Sequence, residues 1–157
     1  MTTTQAGIPS PAEGQDLAAT PMKFEVTRIP VTDIERAKAF YQRLGWRLDI
    51  DHLFTERIRA VQFTPPGSQA SIQLAPAAGN DRLQGLLLIV EDIEAARDEL
   101  VGRGVEVGEI FHALPGQEPE PGRDPDGRSY VSQAILTDPD GNVWVLQEVT
   151  ERIPGRT

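Results

Sequence analysis

Apolar and polar positions along this chain follow two periods, and the switch between them marks its elements. Lys23 to Val31 reads as a strand, after which Ile34, Ala37, Phe40, Tyr41 and Leu44 recur at helical spacing. Asp33 stands where an N-cap belongs, and Gly45 stands at the C′ position, where a left-handed backbone costs least. Trp46–Ile50, Arg57–Thr64 and Ala70–Leu74 follow as short strands, with the turn Pro65-Pro66-Gly67-Ser68 between the last two. The pattern then restarts. Gly85–Val90 is an apolar strand, and Asp92 opens a helix with Ile93, Ala96 and Leu100 on one side and Gly104 at its end. Val105–Ile110, Ser129–Thr137 and Val143–Glu148 read as strands, the last two joined by Asp138-Pro139-Asp140-Gly141-Asn142. Leu114 to Ser129, dense in Pro, Gly and Asp, reads as a long loop and a candidate lid.

The restart is an internal repeat. Val31, Asp33, Ile34, Glu35, Ala37 and Gly45 reappear as Val90, Asp92, Ile93, Glu94, Ala96 and Gly104 at a constant offset of 59 residues. Each half therefore reads strand, helix, three strands. The pattern predicts an α+β fold of two βαβββ modules forming a cupped, barrel-like mixed sheet, with the helices outside and a cavity between the halves. One domain is expected over residues 23–150, with modules at about 23–76 and 84–149. Residues 1–22 read as a disordered arm and residues 151–157 as a tail.

Strand alternation assigns the cavity lining. If Ile29 and Val31 pack on the helices, Val26 and Arg28 face the other way; by the same argument so do Ala60 and Gln62, and Ser71 and Gln73. The second half contributes Leu87, Ile89, Gln133, Ile135, Val143, Val145 and Gln147. This lining is apolar, with one arginine and several glutamines, and suits a small hydrophobic or aromatic organic ligand held by shape and hydrogen bonds. Val26, Arg28, Gln62, Gln73, Gln133, Val145 and Gln147 are the ligand-binding candidates. His112, beside the long loop, and Tyr130, just after it, are the candidate catalytic groups. Each has an ordinary alternative: an ion pair at a sheet edge for Arg28, a surface position for His112, a strand aromatic for Tyr130.

Composition narrows the partners. A net charge of −9 over 157 residues argues against nucleic acid and against an anionic membrane surface. With no cysteine there are no disulfides and no thiolate chemistry, which suits a cytoplasmic protein. No apolar run approaches a membrane span. The two Asp-Pro-Asp-Gly segments, at Asp124 and Asp138, are turn chemistry rather than calcium loops.

Val31-Thr32-Asp33 with Phe40-Tyr41 and Leu44-Gly45, together with Asp138-Pro-Asp-Gly-Asn142 before a last strand, resembles the vicinal oxygen chelate superfamily. That fold of paired βαβββ modules is shared by glyoxalases, bleomycin-resistance proteins and extradiol dioxygenases. The ending Leu146 to Arg156 resembles bacterial glyoxalase-like proteins. The resemblance implies a homodimer, and it implies a divalent metal held by inward-facing His, Gln and Glu side chains. The positions it assigns to those ligands are Val26, Gly85, Gln73 and Val145 here, of which only Gln73 carries a donor. The expectation is therefore no metal and no other cofactor, and a metal-independent binding protein or pathway enzyme. The competing readings are a metal-dependent lyase, isomerase or dioxygenase with displaced ligands, and an interaction protein whose cavity is filled.

Overall fold

Asp33 and Asp92 start the two helices as the repeat requires. The Asp33 carboxylate accepts from Arg36 N at 3.1 Å, and that of Asp92 from Ala95 N at 3.0 Å. Each cap is worth about 1 kcal/mol. Both helices end at a glycine of positive φ, Gly45 and Gly104, each at 83°.

The structure is a computed structural model and describes residues 20–154 and 156. The arm expected over residues 1–22 therefore lies, up to residue 19, outside the described residues. Sheet 1 contains β1 (Val26–Val31), β2 (Arg47–Thr55), β3 (Ile58–Thr64) and β4 (Ser71–Pro76), in the order β1-β4-β3-β2. Helix α1 (Ile34–Arg43) follows β1. Sheet 2 contains β5 (Leu86–Val90), β6 (Phe111–His112), β7 (Glu120–Pro121), β8 (Ser132–Thr137) and β9 (Val143–Glu148), in the order β5-β9-β8-β6-β7. Helix α2 (Ile93–Gly102) follows β5. In each sheet the first and last strands of the module pair in parallel and the remaining pairs are antiparallel. The fold is α+β with two mixed sheets, open rather than closed into a barrel. No helix among the described residues is long and apolar enough to cross a membrane.

Two expected strands are shortened for visible reasons. Val105–Ile110 forms only an isolated bridge, Val107 to Leu136, before the two-residue β6. The carbonyls of Val107 and Gly108 accept instead from the Arg97 guanidinium of α2, at 3.1 and 2.8 Å. Ser129–Thr137 begins as a strand only at Ser132, because Tyr130 takes φ 69°.

One core serves both modules. Ile29, Val31, Val61, Phe63, Ile72 and Leu74 of sheet 1 form a single buried cluster with Ala134, Leu136, Trp144 and Leu146 of sheet 2. Tyr41 of α1 fixes how the sheets meet. Its ring lies 6.0 Å from Phe63 on β3 and 6.2 Å from Trp144 on β9. The helix-side faces of both sheets pack into this one buried cluster beside Tyr41, while the other two faces leave Ile50, Leu87 and Ile135 exposed.

Polar groups lock this seam. The buried Tyr41 hydroxyl donates to Asp138 Oδ2 at 2.8 Å and accepts from Trp144 Nε1 at 3.0 Å. Burial, with Asp138 alongside, pushes the phenol up from its ordinary value. Asn142 Nδ2 donates to Pro30 O at 2.9 Å, and Asp140 Oδ1 accepts from Thr32 N and Thr32 Oγ1 at 2.9 and 2.6 Å. The β8–β9 turn is thereby fastened to the start of α1.

Candidate functional site

Alternation groups the expected lining residues on one face of each sheet, but these faces carry exposed Ile50, Leu87 and Ile135 and do not enclose the cavity expected between the halves. On the outer face of sheet 1, Arg28 pairs by register with Gln73, Gln73 with Gln62, and Gln62 with Ile50. This row is polar on three strands and ends at Ile50 on the fourth. Val26, next to Ser71, lies on one side of it, and Pro30, Ala75, Ala60 and His52 lie on the other. On the outer face of sheet 2, Gln133 pairs with Gln147 and with Phe111, Gln147 with Ile89, and Val145 with Leu87 and Ile135. The seven ligand-binding candidates thus fall on two faces, four on sheet 1 and three on sheet 2. Because the inner faces share the core, these outer faces do not look at each other within one chain.

Both outer faces leave large apolar side chains in solvent. Leu87 is 57% exposed, Ile135 41% and Ile50 38%, and Phe54, whose ring meets His52 edge-on, is 63% exposed. Arg28 is exposed and Gln73 half-buried, and neither side chain has a hydrogen-bond or ion-pair partner among the described residues. Gln62 lies beside Asp49, a carboxylate held below its usual range by Arg47 first and by Thr64 second. Gln147 donates to Tyr130 O at 3.1 Å. Arg28, Pro30 and Ala75 also floor a cleft of about 360 Å³, walled by Asp81, Arg82 and Leu83 of the linker between modules. A second groove, of about 210 Å³, lies at the inner seam beside Trp46, Leu88 and Leu100. The charged side chains at its edge, Arg103 and Glu99, bond each other at 3.0 Å.

Tyr130 touches the row only through its carbonyl, which accepts from Gln147, and the side chains of His112 and Tyr130 both hold the chain. His112 Nδ1 lies 2.7 Å from Gly122 O, and its Nε2 lies 3.5 Å from Glu120. The Tyr130 hydroxyl accepts from Ile153 N at 3.0 Å. The loop between them is firmly anchored. Asp124 is fully buried and accepts from Arg128 N, Nε and Nη2, each at 2.9 Å, while its own amide donates to Ser132 Oγ. Arg128, above all, holds the Asp124 carboxyl well below the usual carboxylate range. Arg123 pairs with the buried Glu148 at 2.8 Å, and Glu148 Oε2 accepts from Ile93 N at 3.0 Å.

These anchors are the functional-looking residues that pattern reasoning missed. The signal was present in the two Asp-Pro-Asp-Gly segments. In each, the first aspartate accepts from the backbone N–H groups two and four residues on: Asp126 and Arg128 for Asp124, Asp140 and Asn142 for Asp138. Each carboxylate thus closes its turn through the backbone, as turn chemistry requires, and also accepts side-chain bonds, from Arg128 at Asp124 and from Tyr41 and Asn142 at Asp138.

The residues at the metal positions implied by the resemblance do not make a donor set for a divalent ion. Val26 and Val145 are aliphatic, Gly85 has no side chain, and Gln73 offers a single amide oxygen. Among the described residues, no group of three or more His, Asp or Glu side chains is placed to hold a metal ion.

Comparison with known proteins agrees with the fold. The family model described as Glyoxalase/Bleomycin resistance protein/Dioxygenase superfamily matches residues 23–146. Among solved structures, the chain is similar to TnmS3, an antibiotic binding protein from Streptomyces sp. CB03234. The TM-score is 0.64 with 29% identity, covering 84% of this chain and 99% of that one. A glyoxalase/bleomycin resistance protein from the same organism matches with a TM-score of 0.60 and 31% identity, covering 80% of this chain and 100% of that one. A member of the superfamily from Sphaerobacter thermophilus DSM 20745 matches with a TM-score of 0.60 and 29% identity, covering 82% and 98%. Against curated protein sequences the chain has no match.

Proposed function

Because the chain belongs to the Glyoxalase/Bleomycin resistance protein/Dioxygenase superfamily, we propose that it binds a small, largely apolar organic molecule without a metal. The ligand lies between the outer face of sheet 1 and the outer face of sheet 2 of a second copy of the chain. The observation that carries this reading is the pair of bare faces. Each sheet has a buried inner face and an outer face with exposed apolar side chains around a glutamine row, and one chain cannot bring the two outer faces together. A two-fold pair of chains offers one face of each kind to each site, so two cups close at once. The antibiotic-binding activity stated for TnmS3, over nearly its whole length, supports the same class of ligand. Arg28 and the glutamines orient the ligand, and Val26, Ile89 and Val145 pack against it. The two rows are built of amides and aliphatic side chains, which supports binding as the activity these faces supply.

Light scattering of the purified protein, followed by thermal-shift screening with hydrophobic, aromatic and aldehyde compounds, tests the proposal. A dimer whose melting temperature rises with at least one compound is the expected result. A monomer with no shift across the panel overturns it. Elemental analysis after purification without chelator tests the metal-free part, which one bound metal per chain would overturn.

A further inference from the structure

The cleft at the end of the polar row on sheet 1 specifies the ligand further, and this step rests on the binding reading above. Arg28 enters the cleft from the centre of β1 and Arg82 from the linker, and Asp81 also lines it. Neither guanidinium forms an ion pair or a hydrogen bond among the described residues, and Asp81 pairs with neither of them. In a chain of net charge −9, Arg36, Arg47, Arg59, Arg97, Arg103, Arg123 and Arg128 are bound to carboxylates, while Arg43 and Arg57, outside the cleft, also lack a carboxylate partner among the described residues. The Arg82 guanidinium lies over Gly141, where a Cβ would meet Nη1 at 3.3 Å. Next to Arg28 in register, Gln73 adds an amide without a hydrogen-bond partner among the described residues.

We infer that the ligand is an organic anion, with its acidic group held between Arg28 and Arg82. Its apolar body runs from Gln73 across the outer face of sheet 1 toward Ile50. Guanidinium groups bind carboxylate, sulfonate and phenolate oxygens through paired N–H donors, and such charge-assisted bonds are about twice as strong as neutral ones. The cleft supplies the donors, and the apolar flanks of the row supply the surface for the body. Asp81 limits the net charge of the cleft to +1 and so favours a monoanion over a dianion.

Two fluorescent probes test this. 1-Anilinonaphthalene-8-sulfonate and N-phenyl-1-naphthylamine share one aromatic body and differ by a sulfonate. The wild-type protein is expected to bind the sulfonate at least 10-fold more tightly, with an affinity that falls as salt rises. Arg28→Gln, alone and with Arg82→Gln, should weaken sulfonate binding about 10- to 100-fold. Binding of the neutral probe should stay unchanged in these variants. Arg28→Lys should keep part of the preference, and Arg43→Gln, on the exposed surface of α1, should leave both affinities as they were. Equal affinities in the wild type, or a sulfonate preference that survives in the double variant, overturn the inference while leaving the binding site intact. If neither probe binds, the binding reading fails and the inference fails with it.

Discussion

Tyr41→Phe removes a single oxygen from the seam between the modules. That oxygen donates to Asp138 at 2.8 Å and accepts from the Trp144 indole at 3.0 Å, and all three residues are buried. The bond to a carboxylate is worth about 1.5–3 kcal/mol, and a buried indole N–H left without a partner costs about 1–3 kcal/mol more. Asp138 keeps its bonds from Asn142 Nδ2, Asn142 N and Asp140 N, so its charge is not stranded. The net loss should be about 3 kcal/mol, or roughly 6–12 °C in melting temperature for a chain of this size. Urea denaturation at pH 7 measures it. The phenol also carries a pH signature. Because burial raises it above its ordinary value of 10.0, its contribution is complete below about pH 10. It is lost as the pH rises further, since the unfolded chain releases the proton first. The wild type should therefore lose stability more steeply than Tyr41→Phe above pH 10. A substitution costing less than about 0.5 kcal/mol, with parallel alkaline limbs, would refute the view that this hydroxyl ties the two sheets together.

Three further outcomes are expected. Arg128 depresses the Asp124 carboxyl, so its stabilisation is present above the ordinary carboxyl value of 3.8 and fades as the pH falls below it; Asp124→Asn should flatten that acid limb in pH-dependent denaturation, and an unchanged limb counts against the assignment. Glu148→Gln breaks the ion pair with Arg123 and should speed amide hydrogen exchange at Gly122 and Tyr130 by about 10-fold or more, whereas equal rates would mean the loop is held by other contacts. Ile135→Arg places a charge on an exposed site, so the fold should persist within about 0.5 kcal/mol; dimer formation and probe binding should both be lost, and retention of either contradicts the two-copy site.

Much of the fold was legible because it depends on local rules. The repeated aspartates and glycines gave both helices and their caps, and period-two alternation gave the facing of every glutamine in the strands. What alternation cannot encode is which faces meet. Leu87 and Ile135 are as apolar as Leu88 and Leu136, yet the first pair stands in solvent and the second faces the core. That distinction is carried by Tyr41, Asp138 and Trp144, whose partnership spans about a hundred residues and leaves no periodic trace. The strand expected over Val105–Ile110 failed for a similar reason, since Arg97, on a different element, captures its carbonyls. The segment Leu114–Ser129 has the composition of a lid, but the buried Asp124 and the Arg123–Glu148 pair tie it to the core. The cleft at Arg28 was legible only as a lone arginine among glutamines; its second arginine comes from a linker whose course no pattern predicts.

The shared core also orders events during synthesis. The bonds that close the seam join residues 97, 108 and 112 positions apart, Tyr41 to Asp138, Thr32 to Asp140 and Pro30 to Asn142. Sheet 1 is complete in sequence at Pro76, but the side chains that oppose its inner face lie between Ala134 and Leu146. At about 5–20 residues per second, the first module waits roughly 4–14 s on the ribosome with Phe63 and Tyr41 only partly covered. In that interval the first half is an aggregation-prone chain with a bare apolar surface, and its solubility depends on the ribosome and chaperones rather than on its own fold.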